Sequence, residues 1–145
     1  MKKMPVRKSE AVWEGKLRNG KGTMKVGRGI FQGAYSFASR FENGEGTNPE
    51  ELIGAAHAGC FSMALSLFLE EAGYSPESIH TTASVHIDKV GAGFKITIVE
   101  LDTEAKVPDI DEKKFMEQAE AAKKGCPVSQ ALTGTEIKLK AKLTG

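Results

Sequence analysis

The chain has almost no net charge. Twenty lysines and arginines stand against nineteen aspartates and glutamates, for a formal charge of +1. That balance leaves no basic footprint for a nucleic acid and no polybasic patch for a membrane surface. No run of about eighteen apolar residues occurs, so no transmembrane helix is expected. The longest apolar stretch, Cys60 to Leu69, is broken by Ser62 and Ser66. The start, Met1-Lys-Lys-Met-Pro5, is basic with no hydrophobic segment behind it, so no signal peptide and a cytoplasmic location are expected. Histidine is scarce, and a zinc site needs three or four ligands. His57 and Cys60 have i, i+3 spacing, but His80 and His86 are isolated and no second cluster has ligand spacing. No metal or bound cofactor is expected. Gly20, Gly22, Gly27 and Gly29 punctuate hairpins and do not open a helix after a strand, which argues against a phosphate-binding loop. Cysteine is limited to Cys60 and Cys126. In a reducing compartment a structural disulfide is not expected. The two are then either inert buried thiols or a redox pair that meets in space, and the count alone does not choose.

What the chain does have is one dominant helix. At 145 residues it reads as a single domain over 1–145, with 1–9 frayed. Within it, Asn48 is a good N-cap and Pro49 fits the first helical position, where a missing N–H costs nothing. Glu50 and Glu51 put negative charge on the positive end of the helix dipole. Gly73 suits the C′ position. The residues between are nearly all apolar or small, which predicts burial on most sides.

Around this helix the pattern is strand-rich. Ala11–Leu17 and Gly22–Val26 read as a hairpin turned by Asn19-Gly20. Gly27-Arg-Gly29 turns again into an aromatic strand, Ile30–Phe41, with Phe31, Tyr35, Phe37 and Phe41 on one face and Arg40 on the other. Thr81–Val90 and Phe94–Val107 form a second hairpin about Gly91-Ala-Gly93. The apolar phase slips between Ile98 and Val99, which predicts a bulge or burial on both faces. Asp111 caps a helix to Lys124 with Phe115, Met116, Ala119 and Ala122 inward. Cys126-Pro127 opens a short helix, and Glu136–Leu143 alternates as a last strand. The order βββ-α-ββ-αα-β predicts an α+β fold of largely antiparallel sheets packed around the central helix.

Several residues can carry chemistry. Cys126 stands at a helix N-cap, where unpaired N–H groups and the dipole favour a thiolate. Cys60 is about three turns into its own helix. An apolar site there raises its pKa, so it needs a cation beside it to react. Arg40 is the candidate cation, against the alternative of a solvated strand-end charge. Glu50 and Glu51 are otherwise explained by the helix dipole.

Thr47-Asn-Pro-Glu-Glu-Leu52, then Ala58-Gly-Cys-Phe-Ser-Met-Ala-Leu-Ser66, and Gly125-Cys-Pro-Val-Ser-Gln130 resemble the two cysteine motifs of the OsmC/Ohr family. The likeness runs from Trp13-Glu-Gly15 through Tyr35–Phe41 and Asp88–Phe94 to the last strand. The position of Arg40 resembles the OsmC branch more than the Ohr branch. The resemblance implies a thiol-dependent peroxidase of stress defence that reduces organic hydroperoxides, and hydrogen peroxide less well. It implies that Cys60 is the peroxidatic and Cys126 the resolving cysteine, joined transiently as a disulfide. It implies that Arg40 and Glu50 activate the thiol, and that an external dithiol of lipoyl or other type restores the enzyme. A redox sensor or a non-catalytic stress protein using the same fold is the alternative.

One constraint is geometric. Glu50 and Cys60 are ten positions apart, about 15 Å of rise on an unbroken helix. One arginine in a single chain is then badly placed to serve both. The small residues Gly54, Ala55, Ala58 and Gly59 suit a close approach of two helices. The expectation is an intertwined homodimer with composite sites at its interface.

Overall fold

A computed structural model describes residues 4–144. Residues 1–3, part of the stretch expected to be frayed, lie outside the described residues. Residues 4–8 carry no regular structure, and the first strand begins at Ser9. The chain forms two compact units, Met1–Leu52 and Ile53–Gly145.

The first unit is a meander of β1 (Ser9–Glu14), β2 (Lys21–Val26) and β3 (Phe31–Tyr35), paired antiparallel in the order β1-β2-β3. Asn19-Gly20 does not make a two-residue turn. Glu14 pairs with Lys21, so six residues form the loop, closed by the Gly20 N–H on the Lys16 carbonyl at 2.7 Å. Trp13, Gly22 and Tyr35 lie side by side across the three strands. A side chain at Gly22 would fall 2.5 Å from the Tyr35 ring and 2.7 Å from Trp13. Its absence lets those rings meet, with centroids 5.3 Å apart.

The aromatic strand is shorter than the alternation predicts. β3 stops at Tyr35, and Phe37–Phe41 is a helical turn, α1. Ser36 and Ser39 form a reciprocal capping box, each hydroxyl accepting from the other's backbone N–H at 3.1 and 2.8 Å. Phe37 and Phe41 share a face under either period, being separated by four residues, so the pattern does not tell strand from helix there. Their centroids are 5.0 Å apart. Arg40 therefore sits on a helix, with its guanidinium 5.2 Å from the Phe41 ring centroid, and not on the opposite face of a strand.

The long helix α2 spans Pro49–Glu71 without a break. Asn48 caps it, accepting from the Glu51 N–H at 2.8 Å. It ends at Gly73, with φ at +96°, in a Schellman arrangement. The Tyr74 N–H bonds the Leu69 carbonyl at 2.9 Å and the Gly73 N–H bonds that of Glu70 at 3.0 Å. By length and composition alone α2 could cross a bilayer, although serines, glycines and a histidine break up its apolar run. In this structure Phe61, Leu65 and Leu69 lie in the core of the second unit.

That unit contains β4 (Ser78–Val90), β5 (Gly93–Lys106) and β6 (Glu136–Leu143), in the order β4-β5-β6. It also holds α3 (Glu112–Gly125) and α4 (Pro127–Ala131). β4 and β5 are antiparallel, with Val90 opposite Gly93. The register steps from His86–Ile98 to Ile87–Ile96, which leaves Thr97 as the extra residue of a bulge close to the expected phase slip. β6 pairs parallel to β5, so this sheet is mixed and not antiparallel throughout. The reason is the connection. A crossover carrying α3 and α4 brings the chain back to start again from the same end, as parallel pairs require. Phe115, Ala119 and Ala122 of α3 pack with Val99, Leu101 and Ala105 of β5 against Phe61, Leu65 and Leu69. Each fully buried leucine or phenylalanine there contributes about 1.5–3 kcal/mol.

Candidate functional site

In the second unit the chain brings its two cysteines together. The Cys126 Sγ donates to the Cys60 Sγ at 2.9 Å across 66 residues of sequence. Both are free thiols. Cys126 is fully buried and Cys60 half-buried. Each position follows from local chemistry. Cys60 is held by α2. Cys126 is at once the C-cap of α3, its N–H on the Ala122 carbonyl, and the N-cap of α4, with Pro127 at the first helical position. Its side chain makes no capping bond, which leaves the sulfur for Cys60.

Burial pushes the Cys60 thiol above its ordinary pKa. The hydrogen bond from Cys126 pushes it further in the same direction. The Val128 backbone N–H, in the first turn of α4, bonds the Cys60 sulfur and opposes both by favouring the thiolate. So the helix start that the sequence placed at Cys126 acts on Cys60.

A second polar bond lies one turn along. His57 Nε2 and Ser129 Oγ are 2.8 Å apart, and both residues are buried. Burial lowers the His57 pKa and so favours the neutral ring. His57 Nδ1 is buried with no hydrogen-bond partner among the described residues. His57 thus faces Ser129. Among the described residues no group of three or more His, Cys, Asp or Glu side chains converges on one point. The sequence reading missed Ser129. Its only signal was i+3 spacing from Cys126, matching the spacing of His57 and Cys60.

In the first unit Arg40 and Glu50 meet. Arg40 Nε donates to Glu50 Oε1 at 3.1 Å and Nη2 donates to Oε2 at 2.9 Å, a two-point pair. Glu50 is 7% exposed, and the Arg40 side chain 37%. The arrangement is built by local bonds. Ser39 Oγ donates to the Thr47 carbonyl at 2.7 Å, and Asn48 Nδ2 donates to the Ser39 carbonyl at 2.9 Å. Together they tie α1 to the start of α2. Glu51 is exposed and accepts from the Thr47 hydroxyl at 2.9 Å, apart from the arginine.

Beside Arg40 opens a cleft of about 190 Å³, lined by Trp13, Leu17, Tyr35, Phe37 and Phe41. The Arg18 guanidinium lies 4.6 Å from the Phe37 ring centroid. Phe37 lines this cleft, whereas two apolar residues beside Cys60 do not. Phe61 is fully buried in the core and Met63 is 77% exposed on α2.

A sequence profile described as OsmC-like protein matches residues 42–142. The chain is 57% identical over 127 residues to Peroxiredoxin OsmC of Escherichia coli, covering 87% of this chain and 89% of that one. It is 35% identical over 103 residues to organic hydroperoxide resistance protein OhrB of Bacillus subtilis, covering 70% and 74%. The crystal structure of an organic hydroperoxide resistance protein from Elizabethkingia anophelis superposes with a TM-score of 0.72 at 26% identity, covering 100% and 99%. A shared profile, majority identity along most of both chains and a shared mixed α+β fold agree, and the chain belongs to the OsmC-like family.

Proposed function

We propose that the chain is a cytoplasmic, cysteine-based peroxidase that reduces organic hydroperoxides to alcohols in stress defence. The observation that carries this reading is the pair of free thiols 2.9 Å apart, one half-buried and one fully buried. The Cys60 thiolate attacks the distal peroxide oxygen. The O–O bond breaks, the alkoxide takes a proton to leave as alcohol, and Cys60 becomes a sulfenic acid. Cys126 is within reach to attack that sulfur. An S–S bond forms, the sulfenic oxygen departs as water with the Cys126 proton, and over-oxidation is forestalled. An external dithiol, of lipoyl type or another, reduces the disulfide to two thiols and is itself oxidised.

Arg40 and Glu50 complete the site. The thiol needs a cation, because burial and Cys126 both raise its pKa. Arg40, held in a fixed orientation by Glu50, has the charge and the spare donors to stabilise the thiolate and the developing alkoxide. The apolar cleft beside it favours an organic peroxide over hydrogen peroxide. α2 is unbroken from Pro49 to Glu71, so Glu50 and Cys60 remain about 15 Å apart along it. In this reading the Arg40–Glu50 pair of one protomer serves Cys60 of the other, and the two units work as one domain within a homodimer.

The test is steady-state reduction of cumene and tert-butyl hydroperoxide with dithiothreitol as reductant. Cys60→Ser is expected to abolish turnover. With the reductant left out, Cys126→Ser is expected to carry out one reduction per subunit and then to over-oxidise under excess peroxide. Full turnover in Cys60→Ser would exclude this mechanism, and disulfide formation without turnover would favour a redox sensor.

A further inference from the structure

The cysteine contact is one of two rungs between the same helices. His57 stands one turn before Cys60 on α2, and Ser129 stands one turn after Cys126 on α4. The second rung, His57 Nε2 to Ser129 Oγ at 2.8 Å, is buried and contains no redox-active atom. The first rung must break and re-form in every cycle of the proposed reaction, and the second need not.

Two further observations bear on its use. α4 is only five residues long, and its N-cap side chain makes no capping bond. A helix of that length does not hold itself together, so its position depends on what its side chains grip. His57 is also costly where it stands, with Nδ1 buried and unpartnered. An aliphatic residue would fill the space without that cost. Among the described residues the ring hydrogen-bonds Ser129 alone, so the hold on Ser129 is what the imidazole supplies.

We propose that His57 and Ser129 are positioning residues for disulfide closure. They hold α4 so that Cys126 stays in reach while Cys60 carries its sulfenic oxygen. Closing the disulfide brings the sulfurs from 2.9 Å to about 2.05 Å. Such a step rewards a helix held in register and is slowed by one that drifts. The inference rests on the peroxidase reading and concerns its second step only. The pair touches neither the peroxide nor the attack on it.

The experiment follows both steps in one pre-reduced sample without added reductant. One equivalent of tert-butyl hydroperoxide is mixed in, and peroxide loss is timed against disulfide formation. Dimedone traps the sulfenic acid for mass spectrometry. In Ser129→Ala and His57→Leu, peroxide loss is expected to stay within about three-fold of the unsubstituted chain. Disulfide closure is expected to slow ten-fold or more, with dimedone-tagged Cys60, and sulfinic acid under excess peroxide, rising to match. Ser129→Thr, which keeps the hydroxyl, is expected to restore closure. If Ser129→Ala does not fold, His57→Gln, which keeps a donor on a looser stem, is expected to show the same split in milder form. Closure at the original rate in the variants, or peroxide loss slowed as much as closure, would overturn the proposal. A Cys60→Ser chain that still turns over would instead overturn the peroxidase reading beneath it.

Discussion

At the scale of single residues the central problem is Cys60. Its surroundings within its own unit make it a poor nucleophile, since burial and the Cys126 hydrogen bond both raise its pKa and only the Val128 N–H opposes them. In the proposed mechanism Arg40 reverses this, and the sign of its effect on pH dependence follows. The thiolate fraction rises with pH. A cation lowers the thiol pKa and moves the rising limb of the rate to lower pH. Arg40→Met is expected to move that limb of kcat/KM for tert-butyl hydroperoxide up by about 1–3 pH units. At neutral pH the loss is then about ten-fold or more, recovering as pH rises. An unshifted limb with a uniformly lower rate would mean that Arg40 binds the peroxide and leaves the thiol alone. The residues proposed for this chemistry stand out in the sequence, because cysteine, arginine and glutamate at motif spacing are distinctive by type. Their environments do not. Nothing in the sequence says that the first turn of α4 points a backbone N–H at Cys60, or that His57 ends on Ser129, because both depend on how α4 settles against α2.

At the scale of elements, termini were easier to read than faces. Asn48, Pro49 and Gly73 bound α2 where their conformational preferences place them, and Asp111 caps α3 by accepting from the Lys114 N–H at 2.8 Å. These signals are local and need no tertiary information. The C-terminal stop can be tested directly. Gly73 has φ at +96°, and a side chain there meets nothing within 4 Å. Gly73→Ala therefore costs backbone strain alone, about 1 kcal/mol. A fall in Tm of about 2–4 °C with unchanged helix content is expected, read by calorimetry and circular dichroism. An unchanged Tm would mean that the terminus relaxes freely. Faces were harder. The end of the aromatic strand became α1 because i, i+4 phenylalanines fit both periods and the serine capping box decided between them. The direction of β6 was illegible for a different reason. Alternation fixes which side chains face inward, as it does for Ile137, Leu139, Ala141 and Leu143, whose neighbours are exposed. It carries no record of parallel or antiparallel pairing.

At the scale of the whole molecule the unexpected feature is how little of α2 the chain covers. The helix was expected to be buried on most sides, but one stripe, including Gly54, His57, Phe61, Leu65 and Leu69, is buried. Gly54, expected at a helix–helix contact, instead faces Val85, where an added Cβ would lie 3.3 Å from a methyl group. The opposite stripe of Ala55, Gly59, Met63 and Leu67 is exposed, with Met63 at 77% and Leu67 at 52%. A continuous exposed apolar stripe on the central helix is the surface a twofold partner would cover. In such a dimer two helices that meet near Ala55 run past each other, and Glu50 of one approaches Cys60 of the other. This arrangement predicts complementation between two dead chains. Glu50→Gln removes the carboxylate that orients Arg40, and Cys60→Ser removes the nucleophile. In a mixed dimer the surviving Cys60 belongs to the Glu50→Gln chain, and its Arg40–Glu50 pair comes intact from the Cys60→Ser chain. Unfolding and refolding the two variants together at equal amounts makes half of the dimers mixed, each with one working site of two. About a quarter of the unsubstituted activity should return. If the pair served Cys60 of its own chain, no mixed dimer would hold a complete site, and the refolded mixture would be as inactive as its components.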